Sequence, residues 1–429
     1  MVNKLGSIAA LGLAMALGID ARAATSTPAG KNRYWITSWY AAPQPSWDAS
    51  FVLPTNLPAY LGNQTLHEHV RLSAGGQRIR LVFSNRYGKQ PVVVGEVRVD
   101  IAGSAGAHQR VSFSGQPGMS IAPGATVTSD PLPLPVEPLA DLRVATYLPL
   151  RTALDSFHWG GQQTVQVTPG NSTELRDGRD GAGERVEGRL FLSAVMVEAA
   201  RKQRTVVALG DSITDGNGST PDANRRWPDY LAQRLAPYGV GVANAGISGA
   251  RLVSDGMGQR ALTRVDHDVL SQPGVSDVIV LLGINDIGWP GSPFAPDEAP
   301  MTLDRLTAAY RQLVSAAHAS GVRVTAATLP PFERALEGTP FAGHYSPQKE
   351  RLRIRFNDWI RSAGVFDGVV DFDARLRDPA NPGRLRADVD SGDHLHPGDA
   401  GYRAMADAID LTPLTRNAAS IPGADKDMK

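Results

Sequence analysis

Two short stretches of this chain carry residues that could serve as a nucleophile and its base. Thr205 to Gly216 reads Thr-Val-Val-Ala-Leu-Gly-Asp-Ser-Ile-Thr-Asp-Gly, and Asp393-His394-Leu395-His396-Pro397 stands near the C-terminus. A serine hydroxyl is a weak nucleophile until a neighbouring base takes its proton. His396 can serve as that base for Ser212. Asp393, on the same loop, can bond the other ring nitrogen and set the tautomer. His394 competes for the base role, but the Asp-x-x-His spacing selects His396. Between the two stretches lie Asn244-Ala245-Gly246-Ile247-Ser248-Gly249 and Gly283-Ile284-Asn285-Asp286. Gly246 permits close backbone approach and offers its N–H to an anion. The Asn285 amide can donate to a developing oxyanion. Taken alone, Gly210-Asp211-Ser212 describes a turn equally well, because Asp and Ser are ordinary turn residues. Asp211 reads as a brace of that turn, and Asp215 and Asn217 as turn residues.

For these groups to meet, each must stand at the carboxyl end of a parallel strand, where open α/β sheets bind their ligands. Val206, Val207, Ala208 and Leu209 form an apolar run of the kind buried on both sheet faces, and Gly210 breaks it. Similar runs occur at Val240 to Ala243, Val275 to Leu282, Val322 to Leu329 and Val369 to Phe372. They alternate with helical stretches at Arg225 to Ala236, Thr302 to Ser320, Gln348 to Ala363 and Asp399 to Ile409. This alternation predicts an α/β fold, a parallel sheet with helices on both faces. Five strands suit a flavodoxin-like doubly wound order.

The residues before it follow a different period. From about Tyr34 to Glu198, Leu66, Val70 and Leu72 share one parity while His67, His69 and Arg71 take the other. Ile79, Leu81 and Phe83 continue the period of two, as do Val93, Val97 and Val99. Later strands are expected at Leu142 to Leu148, Thr164 to Val167 and Arg189 to Val197. Short half-buried strands punctuated by Gly, Pro and Asn predict an all-β sandwich or jelly roll. The 44 Gly and 31 Pro agree with so many turns. His67-Glu68-His69 invites a metal reading, but its histidines occupy the polar parity of an amphipathic strand. Tyr34, Trp35, Trp39, Tyr40 and Trp47 could stack on a sugar; packing is the commoner use of such residues.

Length and composition bound the function. At 429 residues the chain exceeds one ordinary domain, and 42% hydrophobic residues suffice for real cores. Lys+Arg and Asp+Glu each total 43, so no charge excess points to nucleic acid. Cysteine is absent, which excludes a thiol nucleophile or a zinc–thiolate site. Lys4, the uncharged run Leu5 to Ile19 and Ala21-Arg22-Ala23 read as a cleavable secretory signal peptide, too short to span a bilayer. The expected organisation is a leader over 1–23, a β-sandwich accessory domain over 30–200, an α/β domain carrying the Ser212 and His396 stretches over 201–414 and a tail over 415–429. A secreted or periplasmic protein without stable membrane insertion is expected.

Gly210-Asp211-Ser212, Gly246, Asn285 and Asp393-x-x-His396 occur in the order and context of the four blocks of the SGNH, or GDSL-type, esterase and lipase family. The resemblance covers about Arg204 to Leu411, roughly half the chain. It implies Ser212 as nucleophile, His396 as base and Asp393 as the acid that orients it. It implies an oxyanion hole from the Ser212 N–H, the Gly246 N–H and the Asn285 amide, with no metal or cofactor. The two-domain layout is similar to that of secreted bacterial members described as arylesterases or carbohydrate acetylesterases.

The expected activity is hydrolysis of short acyl esters, acetyl above all, from a carbohydrate or aryl alcohol. The alternatives are a longer-chain lipase or thioesterase, and a carbohydrate-binding protein with an inert hydrolase half. Two Pro/Gly-rich loops, Ile287 to Pro300 and Pro330 to Pro347, are long enough to be functional. Their aromatics Trp289, Phe332 and Tyr345 are the candidate substrate-binding residues.

Overall fold

The apolar run before Ser212 forms an inner strand, second from one edge, of a five-stranded parallel sheet in the computed structural model of the chain. The structure describes residues 34–104, 108–175, 183–199 and 202–416. The expected leader and most of the expected tail lie outside them. The sheet comprises β1 (Thr205–Gly210), β2 (Gly241–Gly246), β3 (Val275–Leu281), β4 (Arg323–Ala327) and β5 (Gly368–Val370). Their order is β2-β1-β3-β4-β5, the flavodoxin-like arrangement. Val206, Val207, Ala208 and Leu209 are wholly buried, as a strand covered on both faces requires.

The connecting helices begin where capping residues allow. They include α1 (Ser212–Asp215), α2 (Trp227–Leu235), α3 (Ile284–Gly288), α4 (Leu303–Ala319), α5 (Pro347–Ser362) and α6 (Asp399–Asp407). Thr302 caps α4 by accepting from Arg305 N, and Ser346 caps α5 by accepting from Lys349 N, with Pro347 in the first turn. The last expected strand is cut short after Val370, because Phe372 opens a helix over Phe372–Leu376.

The N-terminal part is mostly antiparallel strands. One sheet has four strands, including Tyr34–Tyr40, Ile79–Ser84 and Leu192–Ala199; another has six, including Gln64–Arg71, Glu96–Ile101, Asp141–Leu148 and Thr164–Pro169. Leu66, Val70, Leu81, Phe83, Val97 and Val99 share their buried core. Glu68 points the opposite way to His67 and His69 and is fully buried, while His67 Nε2 bonds Thr168 Oγ1 at 2.9 Å. Of the early aromatics, Trp39 and Tyr40 are packed inside: Arg189 lies over the Trp39 ring and the Tyr40 hydroxyl donates to Asp268.

These strands abut the parallel sheet directly, and among the described residues the two parts form one compact unit. Ala41 bridges Asn244 of β2 in parallel, Thr37 N donates to Pro273 O, and the Thr205 hydroxyl is bonded to both Thr37 O and Pro273 O. Gly241 is required here, since a Cβ on it would lie 2.3 Å from Thr37 O. Among the described residues no helix is long and apolar enough to cross a membrane.

Candidate active site

Strand β1 delivers Ser212 at its carboxyl end, as the first residue of the four-residue helix α1. Asp211 caps that helix, its Oδ1 accepting from Ile213 N at 3.0 Å. Its other oxygen has no partner among the described residues. Burial pushes the Asp211 carboxyl up to about 7 against the pull of that bond and of His396. Ser212 and His396 are themselves buried, with 6% and 9% of their surfaces exposed, so the hydroxyl and the ring meet in a mostly dry setting.

His396 Nε2 lies 2.8 Å from Ser212 Oγ, and His396 Nδ1 lies 2.6 Å from Asp393 Oδ2. An ionised carboxylate only accepts, so Nδ1 carries a hydrogen, and whenever the ring is uncharged Nε2 is the nitrogen with the lone pair that faces the serine hydroxyl. Partial burial pushes the Asp393 carboxyl up, but the His396 bond and charge outweigh it. With the N–H groups of His396 and Leu395, they hold it well below the usual carboxylate range. His394 turns away, with Nδ1 2.5 Å from Asp390 Oδ2 and φ at 61°.

The expected oxyanion donors divide. The Ser212 N–H has no acceptor among the described residues. The Asn285 amide donates to Ala250 O at 3.1 Å, leaving its second hydrogen available. Gly246 is a correction. Its N–H already donates to Asn244 Oδ1 at 2.9 Å, and a Cβ on it would sit 2.4 Å from Asp215 N, behind α1. Gly246 is still part of β2, paired with Gly210. The turn that follows contains Gly249 at φ 71°, whose N–H has no acceptor among the described residues. Asn285 grips the carbonyl of the next residue, Ala250. Of the two glycines, Gly249 is therefore the one whose N–H is left for an oxyanion.

Other residues that shape the site carry no motif. Asp286 holds the same turn by accepting from Leu252 N at 2.7 Å and Val253 N at 3.1 Å; burial pushes its carboxyl up to about 6. Arg264, almost fully buried, donates to Gly210 O and Ala245 O and pairs with Asp268, bracing the ends of β1 and β2. An Asp beside a strand-end Asn was the available signal for Asp286; nothing in the sequence marks Arg264.

The candidate substrate-binding aromatics fare unevenly. Phe332 is fully buried, edge-on to Tyr345 and His344, and supports its loop from below. Trp289 is 2% exposed, stacked on Phe294 at 4.7 Å with the Arg251 guanidinium over its ring. Neither ring has a face free for a sugar, because the loops fold back on their own aromatics. Tyr345 stays half-buried. Among the described residues no group of three or more His, Cys, Asp or Glu is placed to hold a metal ion.

A parallel α/β sheet presenting a serine, a histidine and an ionised aspartate in contact at its carboxyl side is the arrangement of a serine-hydrolase type of site. Residues 208–404 match the GDSL-like Lipase/Acylhydrolase family. That part of the chain is a GDSL-like acylhydrolase domain, and the protein is in class a carboxylic ester hydrolase. No curated protein matches the chain. Similar solved structures include the aryl esterase of M. Smegmatis, 18% identical over 50% of this chain and 100% of its own, TM-score 0.39. A variant of an acetyl-xylooligosaccharide esterase from Geobacillus Stearmophilus is 24% identical over 48% of this chain and 91% of its own, TM-score 0.34. A GDSL-like lipase from Bacteroides thetaiotaomicron VPI-5482 is 19% identical over 50% of this chain and 89% of its own, TM-score 0.36.

Proposed function

We propose that the chain is a secreted serine esterase that removes short acyl groups, acetyl above all, from carbohydrate or aryl esters. The observation that carries this is the unbroken chain Asp393–His396–Ser212, with contacts of 2.6 and 2.8 Å. Ser212 Oγ attacks the ester carbonyl carbon as His396 Nε2 takes its proton. The carbonyl oxygen gains the charge and is received by the Ser212 and Gly249 N–H groups and the Asn285 amide. The C–O bond to the alcohol then breaks, and His396 returns the proton to the leaving oxygen. Water, activated by the same ring, hydrolyses the acyl-serine and frees the acid. No step calls on a metal or cofactor.

The short-acyl reading rests on the sequence of the site loops, which show no continuous aliphatic run for a long acyl chain. Met257 and Trp289, both buried, pack against the Gly249 turn, within 2.6 and 2.9 Å of where its Cβ would be. A chain-length series of 4-nitrophenyl esters tests the proposal, with kcat/KM falling beyond butyrate. A maximum at octanoate or longer would promote the lipase alternative. Export follows from the N-terminal pattern of Lys4, Leu5 to Ile19 and Ala21-Arg22-Ala23. N-terminal sequencing of exported protein should find a start near Ala24.

A further inference from the structure

Ser212 sits on a helix of only four residues, Ser212–Asp215, too short to hold its own conformation without outside anchors. Its last residue, Asp215, is 1% exposed and is bonded to a histidine from the antiparallel β part of the chain. His158 Nε2 lies 2.9 Å from Asp215 Oδ1, and its Nδ1 lies 2.8 Å from Ala42 O. A carbonyl can only accept, so Nδ1 carries a hydrogen. One further proton must then lie between Nε2 and Oδ1, giving either an imidazolium facing a carboxylate or an imidazole facing a carboxylic acid.

The other oxygen of Asp215 accepts from Ser248 Oγ at 2.8 Å, and Ser248 immediately precedes Gly249. Asp215 thus ties the nucleophile helix to the oxyanion turn. Neighbouring bonds hold the two parts of the chain together around this point. Gln162 Nε2 donates to Asn217 Oδ1, Arg226 Nη1 to Gly161 O and Gln163 Nε2 to Asn224 Oδ1. Gly160, at φ 79°, brings its turn over Asp215; a Cβ there would lie 3.7 Å from Asp215 Oδ2 and from Ser248 Oγ.

We propose that His158 is a positioning residue for the hydrolase site: through a proton shared with Asp215 it fixes Ser212 and the Gly249 turn relative to each other. The β part then completes the active site rather than merely accompanying it. The proposal rests on the esterase reading of Ser212. Loss of the clamp acts on the transition state, where small misplacements are costly, more than on substrate binding.

The test compares His158→Asn with His158→Gln in the full chain, using 4-nitrophenyl acetate turnover and labelling of Ser212 by a fluorophosphonate. Asn places its amide near Nδ1, keeping the Ala42 bond and losing Asp215; Gln places its amide near Nε2 and keeps the Asp215 bond. H158N should lower kcat about tenfold or more with KM within about twofold, and should slow labelling in step. H158Q should restore most of both. Nitrogen NMR of wild-type His158 should find Nδ1 protonated. Should H158N not fold, Ser248→Ala carries the same kcat prediction. A folded H158N with wild-type kcat and labelling, or a His158 whose Nδ1 bears no proton, overturns the proposal while leaving the esterase reading intact. Wild-type protein that neither hydrolyses nor takes the label overturns both.

Discussion

Asn244 and Gly246 are bonded to each other: the Gly246 N–H donates to the Asn244 side-chain oxygen at 2.9 Å, while Asn244 Nδ2 donates to Thr214 O. Asn244 is therefore a brace beneath the nucleophile helix, and the two Asn residues of the site have separable roles. Asn285→Ala should lower kcat roughly a hundredfold or more with a smaller effect on KM, because the lost donor acts on charge present only in the transition state. Asn244→Ala should instead cost on the order of 1–3 kcal/mol of stability, read from urea unfolding, through the loss of buried hydrogen bonds. A wild-type kcat in N285A would place the oxyanion donor elsewhere.

The difference between Gly246 and Gly249 shows what the sequence made legible. Ser212 and Asn285 could be named because each follows a strand that an apolar run announces, and Asp393 and His396 because of their Asp-x-x-His spacing just before the last helix. The run Val240 to Ala243 stops short of the real strand, because the small residues Ala245 and Gly246 go on pairing with Leu209 and Gly210. The turn therefore starts later than the apolar pattern indicates, and the unpaired amide moves along the chain. The order of the parallel strands followed from their alternation with helices. His158 was not legible at all: it lies 57 residues from Asp215 in the chain, amid β-strands with no motif of their own.

Asp211 should make stability depend on pH. Its folded carboxyl is raised by burial to about 7, whereas an unfolded one titrates near about 3.9. The folded state thus binds this proton more tightly. Stability falls as pH rises from about 4 to about 7 by this group's contribution, on the order of 1–4 kcal/mol. Asp211→Asn keeps an oxygen for Ile213 N and removes the titration. Its unfolding free energy, compared with wild type, should be more favourable at about pH 8 than at about pH 5. A constant difference across that range would show that Asp211 stays ionised in the fold.

Asp393 has the opposite sign. Its carboxyl is held below the usual range, so what it adds to stability is present above the unfolded value of about 3.9 and is lost as pH falls through its lower folded value. Asp393→Asn should lose roughly 10³–10⁴ in kcat by upsetting the His396 tautomer. Its unfolding midpoint should approach that of wild type only in strong acid. Equal turnover in the two proteins would remove Asp393 from the site.

The buried loop aromatics should report on stability rather than on substrate. Phe332→Ala removes a fully buried ring and should cost about 3–5 kcal/mol in unfolding free energy with little change in KM. Phe341 is half-buried and stacks on Phe294 at 4.7 Å, so it retains accessible surface. Its replacement by Ala should disturb folding less. A large rise in KM for F332A, with stability unchanged, would restore Phe332 to the substrate-binding set.

The proposed hydrolysis passes through an acyl-enzyme on Ser212, activated by His396 at 2.8 Å. The most direct measurement pairs 4-nitrophenyl acetate turnover with mass spectrometry of fluorophosphonate-treated wild type and Ser212→Ala. Wild type should turn over and carry one phosphonate on the peptide containing Ser212. S212A should lose at least about 10⁴-fold in kcat and take no label there. An S212A protein that hydrolyses the ester at the wild-type rate would mean that Ser212 is not the nucleophile.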